Sequence, residues 1–419
     1  MARTRIICPT YNHVETLLAA IPSVQAQRDG DWDLVVIGDG APDRTREIVE
    51  SFAQDDLRIS YVAHQKGERF GESYRDPVIR NCDAEFICHL GDDDIWHESH
   101  LDVMARLLAG ADWAMTGDLR LSPSGEVTWR FGNVSFPPLR VAACADDRKL
   151  VFATLNGVGV RRRAYLSLPR GWEPSPTPRG SDVFMWLKYI RKSDLRLAST
   201  AEPTHVKFQS AGARADVSPA ERLAELQPVA ESINRPSYLD KLRQRATIGG
   251  PLAKAFGLVD LAGAQDLRAA FGAVGIVPGD ETDGFTHGAG SAMHVPLTHR
   301  QLDQARLAWA LASGPDRDPE RFRAVVRADR RDDGLTLHYL EMIAQANPEV
   351  ALVSARALAT VCQAPALSAH ARVRVLLQGD DLAAAEHALE RAREQWRKAR
   401  WVGGLERRLS GLRASGNAT

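Results

Sequence analysis

Three short apolar runs, each stopped by a turn residue, constrain what this chain can fold into more than any other feature. Arg5-Ile6-Ile7-Cys8 stops at Pro9, Asp33-Leu34-Val35-Val36-Ile37 at Gly38-Asp39-Gly40, and Phe86-Ile87-Cys88-His89-Leu90 at Gly91. The second run is almost continuously apolar, as in a strand covered on both faces of a parallel sheet. Between the runs the spacing turns helical. Over 14–27, Leu17, Leu18, Ile21 and Val24 share one face, and Asp43 caps a helix reaching about Phe52. A further strand is expected over 59–63. The βαβαβ order predicts an α/β fold with an open sheet. Ligands of such sheets bind at the carboxyl ends of the strands, where the turns at Pro9, Asp39 and Asp92 lie.

The rest of the chain reads differently. At 419 residues it has room for two or three domains. From about Pro219 it becomes rich in Ala, Leu, Arg and Glu with helical periodicity, broken by a Gly/Thr/His loop over 279–300. Helices are expected at about 299–313, 317–329, 335–345, 348–361, 367–378 and 381–410. The expected division is therefore 1–215 as a catalytic α/β domain, 216–300 as linking helices and loop, and 301–419 as a helical domain. Residues 379–392 loosely resemble the second helix of a tetratricopeptide repeat, but no second copy recurs at a fixed period. Docking of an acceptor, or homodimerisation, is the expected role of this part.

Charge and cysteine usage exclude several classes. The net charge of −1 provides no basic field for nucleic acid or anionic lipid. No run approaches the ~20 apolar residues of a membrane span, and the N-terminus has no signal region. Cysteines 8, 82, 88, 144 and 362 have no CxxC spacing and read as reduced core thiols of a cytoplasmic protein. The spacing of His287, His294 and His299 matches no zinc site.

The sharpest chemical signal is Asp92-Asp93-Asp94 directly after a buried strand. Adjacent carboxylates repel, and hard oxygens at a strand end suit Mn²⁺ or Mg²⁺. The alternative is a solvated acidic turn leading into a helix over 98–108.

Taken together, "IICPTYNHVETLLAAIPSVQAQ", "LVVIGDGAPDRTREIVESF" and "EFICHLGDDDIWHESHLDVM" resemble the nucleotide-binding half of glycosyltransferase family 2, of GT-A fold. That family reads PxYN, DDGSxDxT and LDxDDxW in this order, and the likeness runs to about residue 210. The resemblance implies a Rossmann-like GT-A sheet at the N-terminus; the all-α C-terminal region that follows is expected from its periodicity alone and carries no family signal. It puts Asp93 on the metal, with Asp94 and His205 as further ligands, and leaves Trp96 in the core. Gly91 stands where the family has an Asp touching ribose, a contact that Asp92 can take over. Asp39 would accept the ring N–H of uracil, thymine or guanine, with Gly38 in place of the family's preceding Asp. Pro9, Thr10 and Tyr11 would line the base. Arg75 would meet the diphosphate, with Arg80 as competitor. In "RGSDVFMWLKYIRK" Asp182 would be the catalytic base, with Ser181 replacing a Glu; Glu173 and Asp194 are the next carboxylates in line.

The implied activity is metal-assisted, inverting transfer of a single sugar from a nucleotide-diphosphate sugar. The donor would carry UDP, with dTDP or GDP as alternatives, and the acceptor would be a peptide, glycan or small natural product. Neither membrane helices nor the Q-x-x-R-W motif of processive synthases occurs. Two rivals stand beside this reading. A sugar-1-phosphate nucleotidyltransferase needs an early Gly-rich basic loop, which residues 8–16 lack. A non-catalytic binding relative is kept open by Gly38, Gly91 and Ser181.

Overall fold

The structure, a computed structural model, describes residues 2–122, 125–135, 153–176, 180–208, 217–246, 348–360, 365–379, 381–397 and 399–416, with isolated positions between them. The helices expected at 299–313, 317–329 and 335–345, the Gly/Thr/His loop and the three histidines at 287, 294 and 299 lie wholly or largely outside the described residues.

The chain forms two compact units, the first holding Met1–Ala246 and the second holding Pro296–Thr419. In the first unit the three apolar runs become β1 (Thr4–Thr10), β2 (Trp32–Asp39) and β4 (Phe86–His89), with β3 at Ile59–His64. All four are parallel, in the order β3-β2-β1-β4. The chain moves outward from β1 to β3 and then returns to the other side of β1. This reversal opens a crevice at the carboxyl ends of β1 and β4. Beyond β4 the sheet becomes mixed. β8 (Val158–Arg161) runs antiparallel to β4 and to β6 (Trp113–Leu121), β9 (Leu197–Phe208) runs parallel to β6, and β5 (Ile95–Trp96) pairs antiparallel with β9. β7 (Val127–Arg130) returns on β6 as a hairpin.

Helices α1 (Leu17–Gln25) and α2 (Asp43–Asp55) follow β1 and β2, α4 (His100–Gly110) packs on β6, β8 and β9, and α3 is the short Arg75–Arg80. One core joins Ile6, Leu17, Ile21, Leu34, Val36, Ile48, Phe86, Trp96, Met104 and Leu108. Trp96 is fully buried and stacks on His100, so it is core. Cys8, Cys82 and Cys88 are buried free thiols. Asp43 differs slightly from expectation: the N-cap is Pro42, and Asp43 sits in the first turn, where the helix dipole favours a carboxylate. After α5 (Arg162–Leu166) comes α6 (Ser181–Ile190), whose N-cap is Gly180. α7 (Pro219–Ala230) opens on a capping box between Ser218 and Glu221, and α8 spans Tyr238–Arg245.

In the second unit α9 (Pro348–Thr360), α10 (Pro365–Leu376), α11 (Leu382–Gln395) and α12 (Arg400–Gly416) are described. Val373, Leu377, Leu389, Val402, Leu405 and Leu409 make its core. The single helix expected over 381–410 is two, because Trp396 leaves the helical region (φ −125, ψ 43) and stands against Trp401. The open mixed sheet at the N-terminus and the helical C-terminal region are as expected. No helix of the described residues is long and apolar enough to cross a membrane.

Candidate active site

A cleft of about 800 Å³ opens where β1, β2 and β4 end, within the range usual for small-molecule sites. Pro9, Thr10, Tyr11, Asp39, Arg75, Asp92, Asp93, Asp94 and Asp182 all line it. Nine of the ten site residues expected from the sequence are thus brought to one cavity from segments far apart in the chain. His205 does not line it. It is fully buried on β9, with Nε2 3.3 Å from Thr154 Oγ1 and 4.0 Å from Asp118 Oδ2. Burial holds its pKa down to about 4, so it is a neutral core imidazole. Arg80 is paired with Asp76 on its own helix and is absent from the cleft lining, which leaves Arg75 as the guanidinium there.

The acidic cluster divides its work. Asp94 is fully buried and tied inward: Phe208 N donates to Oδ1 at 2.9 Å, and Lys207 Nζ and Asn156 Nδ2 donate to Oδ2. Asp92 accepts from His13 Nδ1 at 3.0 Å. Asp93 lies 3.8 Å from the same nitrogen. Burial, then the neighbouring Asp94 and Asp92 charges, push the Asp93 pKa up to about 7. Burial opposes charge on Lys207, but Asp94 and Asp93 outweigh it and raise its pKa. Burial and like charges thus disfavour the ionised form of Asp93, which a cation beside it favours.

His13, Asp92 and Asp93 each offer one ligand atom, all within 4.8 Å of one another. Two carboxylates and one imidazole fit a divalent ion of the Mn²⁺ or Mg²⁺ kind, with the imidazole favouring Mn²⁺. The set differs from the sequence expectation of Asp93, Asp94 and His205: His13 stands where Asp94 and His205 were expected. Its ring also contacts Arg222 from α7, whose Nη1 is 2.6 Å from His13 Nε2 and 3.6 Å from Asp93 Oδ2. Burial works against charge on His13, while the hydrogen bond to Asp92 and the two Asp charges raise its pKa and Arg222 opposes them. A guanidinium has no acceptor, so a hydrogen bond from Arg222 to Nε2 requires the His13 tautomer that keeps its proton on Nδ1, towards Asp92.

Asp39 ends β2 with its carboxylate buried. Lys66 Nζ donates to Oδ2 and Gly67 N to Oδ1, both at 2.6 Å. Ionised, it keeps lone pairs for a further donor. Lys66 also lies 5.2 Å from the centre of the half-exposed Tyr11 ring. The buried Thr10 hydroxyl has no partner among the described residues. Gly38 is explained by its neighbour: a Cβ there would lie 2.2 Å from Tyr61 Oη.

Arg75 is buried over the face of Trp172 at 4.4 Å, and its Nη2 donates to Phe70 O at 3.2 Å. Its Nε has no partner among the described residues. Burial lowers its pKa to about 10, against the opposing charges of Glu72, Asp182 and Asp39. Asp182 sits in the first turn of α6 rather than capping it; its Oδ1 accepts from Val183 N at 2.8 Å, and among the described residues Oδ2 has no hydrogen-bond partner. Glu173 is held by Lys188 at 2.6 Å and Asp194 by Lys192 at 3.4 Å. Neither lines the cleft.

Sequence reasoning missed His13, Lys66, Asn156, Lys207 and Arg222. His13 follows the Pro9-Thr10-Tyr11-Asn12 turn directly, a signal that could have found it. Arg222 sits 209 positions from its partner, and nothing local marks it.

Residues 5–167 match the sequence model described as "Glycosyl transferase family 2". A Campylobacter jejuni protein named GalNAc(5)-diNAcBac-PP-undecaprenol beta-1,3-glucosyltransferase is 31% identical over 94 residues, 22% of this chain and 30% of that one. An Escherichia coli protein named UDP-Glc:alpha-D-GlcNAc-diphosphoundecaprenol beta-1,3-glucosyltransferase WfgD is 30% identical over 103 residues, 25% of this chain and 40% of that one. The chain therefore spans well under half the length of these curated relatives. The solved structure of S. aureus TarS 1-349 is similar at a TM-score of 0.40 and 12% identity, covering 89% of this chain and 90% of that one.

Proposed function

We propose, from a chain whose residues 5–167 match the glycosyltransferase family 2 model, that the protein is an inverting glycosyltransferase moving one sugar from a nucleotide-diphosphate donor to an acceptor. The observation that carries this reading is the convergence of Asp39, Arg75, Asp93 and Asp182 on one cleft at the strand switch point. The four serve different parts of one reaction.

Asp39 accepts the ring N–H of the base, which suits UDP first and dTDP or GDP next. Pro9, Thr10 and the Tyr11 ring wall the base, and Asp92 is available to the ribose hydroxyls. Arg75 is a buried, always-charged donor set for the diphosphate, where fixed positive charge favours departure of the nucleotide. His13, Asp92 and Asp93 would hold Mn²⁺ or Mg²⁺. Bound there, the ion would supply Lewis-acid neutralisation of the leaving diphosphate. Asp182 takes the acceptor's proton as its oxygen attacks the anomeric carbon from the face opposite the leaving group, a single displacement that inverts configuration. The relatives' names support a UDP-sugar donor and a lipid-linked glycan as acceptor. Buried free thiols fit a reducing, cytoplasmic compartment. The helical unit is assigned to acceptor docking or to homodimerisation.

The family match ends at residue 167, before Asp182, so the base is the part to test. Asp182→Asn keeps the size and cannot take the proton. With a UDP-sugar panel and a glycan acceptor, its kcat should fall ~10²–10⁴-fold with donor KM nearly unchanged. Turnover above about a third of wild type would remove Asp182 from the mechanism. Donor binding without transfer by the wild type across the panel would favour a non-catalytic binding protein. That second reading draws on Lys66 and Arg222, which already occupy Asp39 and Asp93.

A further inference from the structure

Arg222 stands out because no step above uses it and its setting is costly. It projects from α7, outside the family match, and is 5% exposed. α7 packs on α1 and β5, and Leu226 and Val229 are buried on it. The guanidinium thereby reaches His13 Nε2 at 2.6 Å and Asp93 Oδ2 at 3.6 Å. A charge is not desolvated this far without partners, and among the described residues these include two of the three groups that would hold the metal.

We propose that Arg222 is the resident counter-cation of the His13–Asp92–Asp93 cluster, that it and the divalent ion exclude one another, and that metal binding therefore releases the first turn of α7 from the cleft. This rests on the metal reading above and concerns what the chain does when the ion enters. The exclusion follows from imidazole chemistry. If His13 ligates through Nδ1, its single remaining proton must sit on Nε2, and an N–H would then face the Arg222 N–H. If it ligates through Nε2, the ion needs the place that Nη1 occupies. In both cases Asp93 loses the guanidinium as the ion takes it. Val217, Ser218 and Pro219, which lead into α7, line the same cleft, so displacing Arg222 loosens part of the cleft wall. Leu226 and Val229 lie farther along the helix and stay packed.

Two measurements test this without turnover. Free Mn²⁺ followed by electron paramagnetic resonance gives the affinity of the full-length protein. Arg222→Gln should bind Mn²⁺ at least about tenfold more tightly than wild type, and Arg222→Lys should fall between. Affinity equal to or weaker than wild type in Arg222→Gln overturns the exclusion. Asp93→Asn separates the two levels. Loss of Mn²⁺ binding there with no gain in Arg222→Gln refutes the exclusion alone, whereas undiminished binding in Asp93→Asn removes the metal site and the exclusion with it. The second measurement needs no variant: hydrogen exchange of amides 220–224 in the wild type should quicken on adding saturating Mn²⁺, while the amides of 226, 227, 229 and 230 stay protected. Unchanged exchange at 220–224 overturns the release.

Discussion

Replacing Gly91 by alanine should destabilise the first unit by about 2–4 kcal/mol, a large effect for one methyl group on a turn. Gly91 is not among the residues with left-handed backbone, so alanine is conformationally allowed and only the added Cβ matters. That atom would lie 2.8 Å from Asp94 Oδ2 and 3.1 Å from Asn156 Oδ1. Neither neighbour can move aside. Both are fully buried, and Asp94 is pinned by Lys207 and Phe208 N, each at 2.9 Å. Asn156 in turn bonds both Gly91 N and Asp94. Overpacking a filled site costs ~1–3 kcal/mol, and loosening a hydrogen bond to a charged group ~1.5–3 kcal/mol, partly overlapping. Urea unfolding followed by tryptophan fluorescence suits the measurement. Residues 32, 96, 113, 129, 172 and 186, six of the nine tryptophans, lie in this unit. Asn156→Ala removes the clashing amide, so the double variant should cost at least about 1 kcal/mol less than the sum of the singles. A Gly91→Ala variant within about 0.5 kcal/mol of wild type, or additive costs, would refute the close approach.

Two further outcomes follow from the site and its surroundings. Asp39→Ala should raise donor KM more than it lowers kcat, because the contact to the base is shared by ground and transition states and the Lys66–Gly67 anchor is lost with it; steady-state kinetics with unchanged KM would return Asp39 to a purely structural role. His89 is buried beside Trp172, whose Nε1 donates to its Nε2 at 3.2 Å, and burial lowers its pKa from 6.5 to about 3. Unfolded imidazole binds a proton that the folded one refuses, so the stability conferred by the neutral ring is complete above pH 6.5 and is lost as pH falls towards 3. Between pH 7 and 4.5, His89→Phe should reduce the acid-induced loss of unfolding free energy by about 2–3 kcal/mol, and an unchanged slope in urea titrations across that range would refute it.

What the sequence made legible was whatever a strand end advertises locally. β1, β2 and β4 each finish at a turn that carries chemistry, so Pro9, Asp39 and Asp92–Asp94 could be placed at one edge before any pairing was known. Asp182 was legible only through the family resemblance of the segment 179–192, since a carboxylate at a helix start would by itself read as a cap. Partners that arrive by tertiary register were not. Lys207 and Asn156 reach Asp94 from segments whose antiparallel or mixed pairing no periodicity announces. His205 shows the same gap in reverse. It is on β9 two residues before Lys207, yet it is buried against Asp118 and Thr154 and does not line the cleft.

The same register explains the two glycines that depart from the family pattern and so bear on whether the chain is a catalyst or a worn relative. A glycine left by simple loss of an aspartate would face open space. Here the space beside Gly38 is filled by the Tyr61 hydroxyl, and the space beside Gly91 by an asparagine that bonds both the glycine nitrogen and Asp94. Asp94 is thereby held inward, which leaves Asp92 and Asp93 facing His13. The departure at 91 removes one carboxylate and fixes another, while the cluster keeps two carboxylates and an imidazole within bonding reach of one ion. A site whose substitutions are packed and hydrogen-bonded in this way is rebuilt rather than worn, and it still brings Asp39, Arg75 and Asp182, the groups proposed for the base, the diphosphate and the proton, to one cleft.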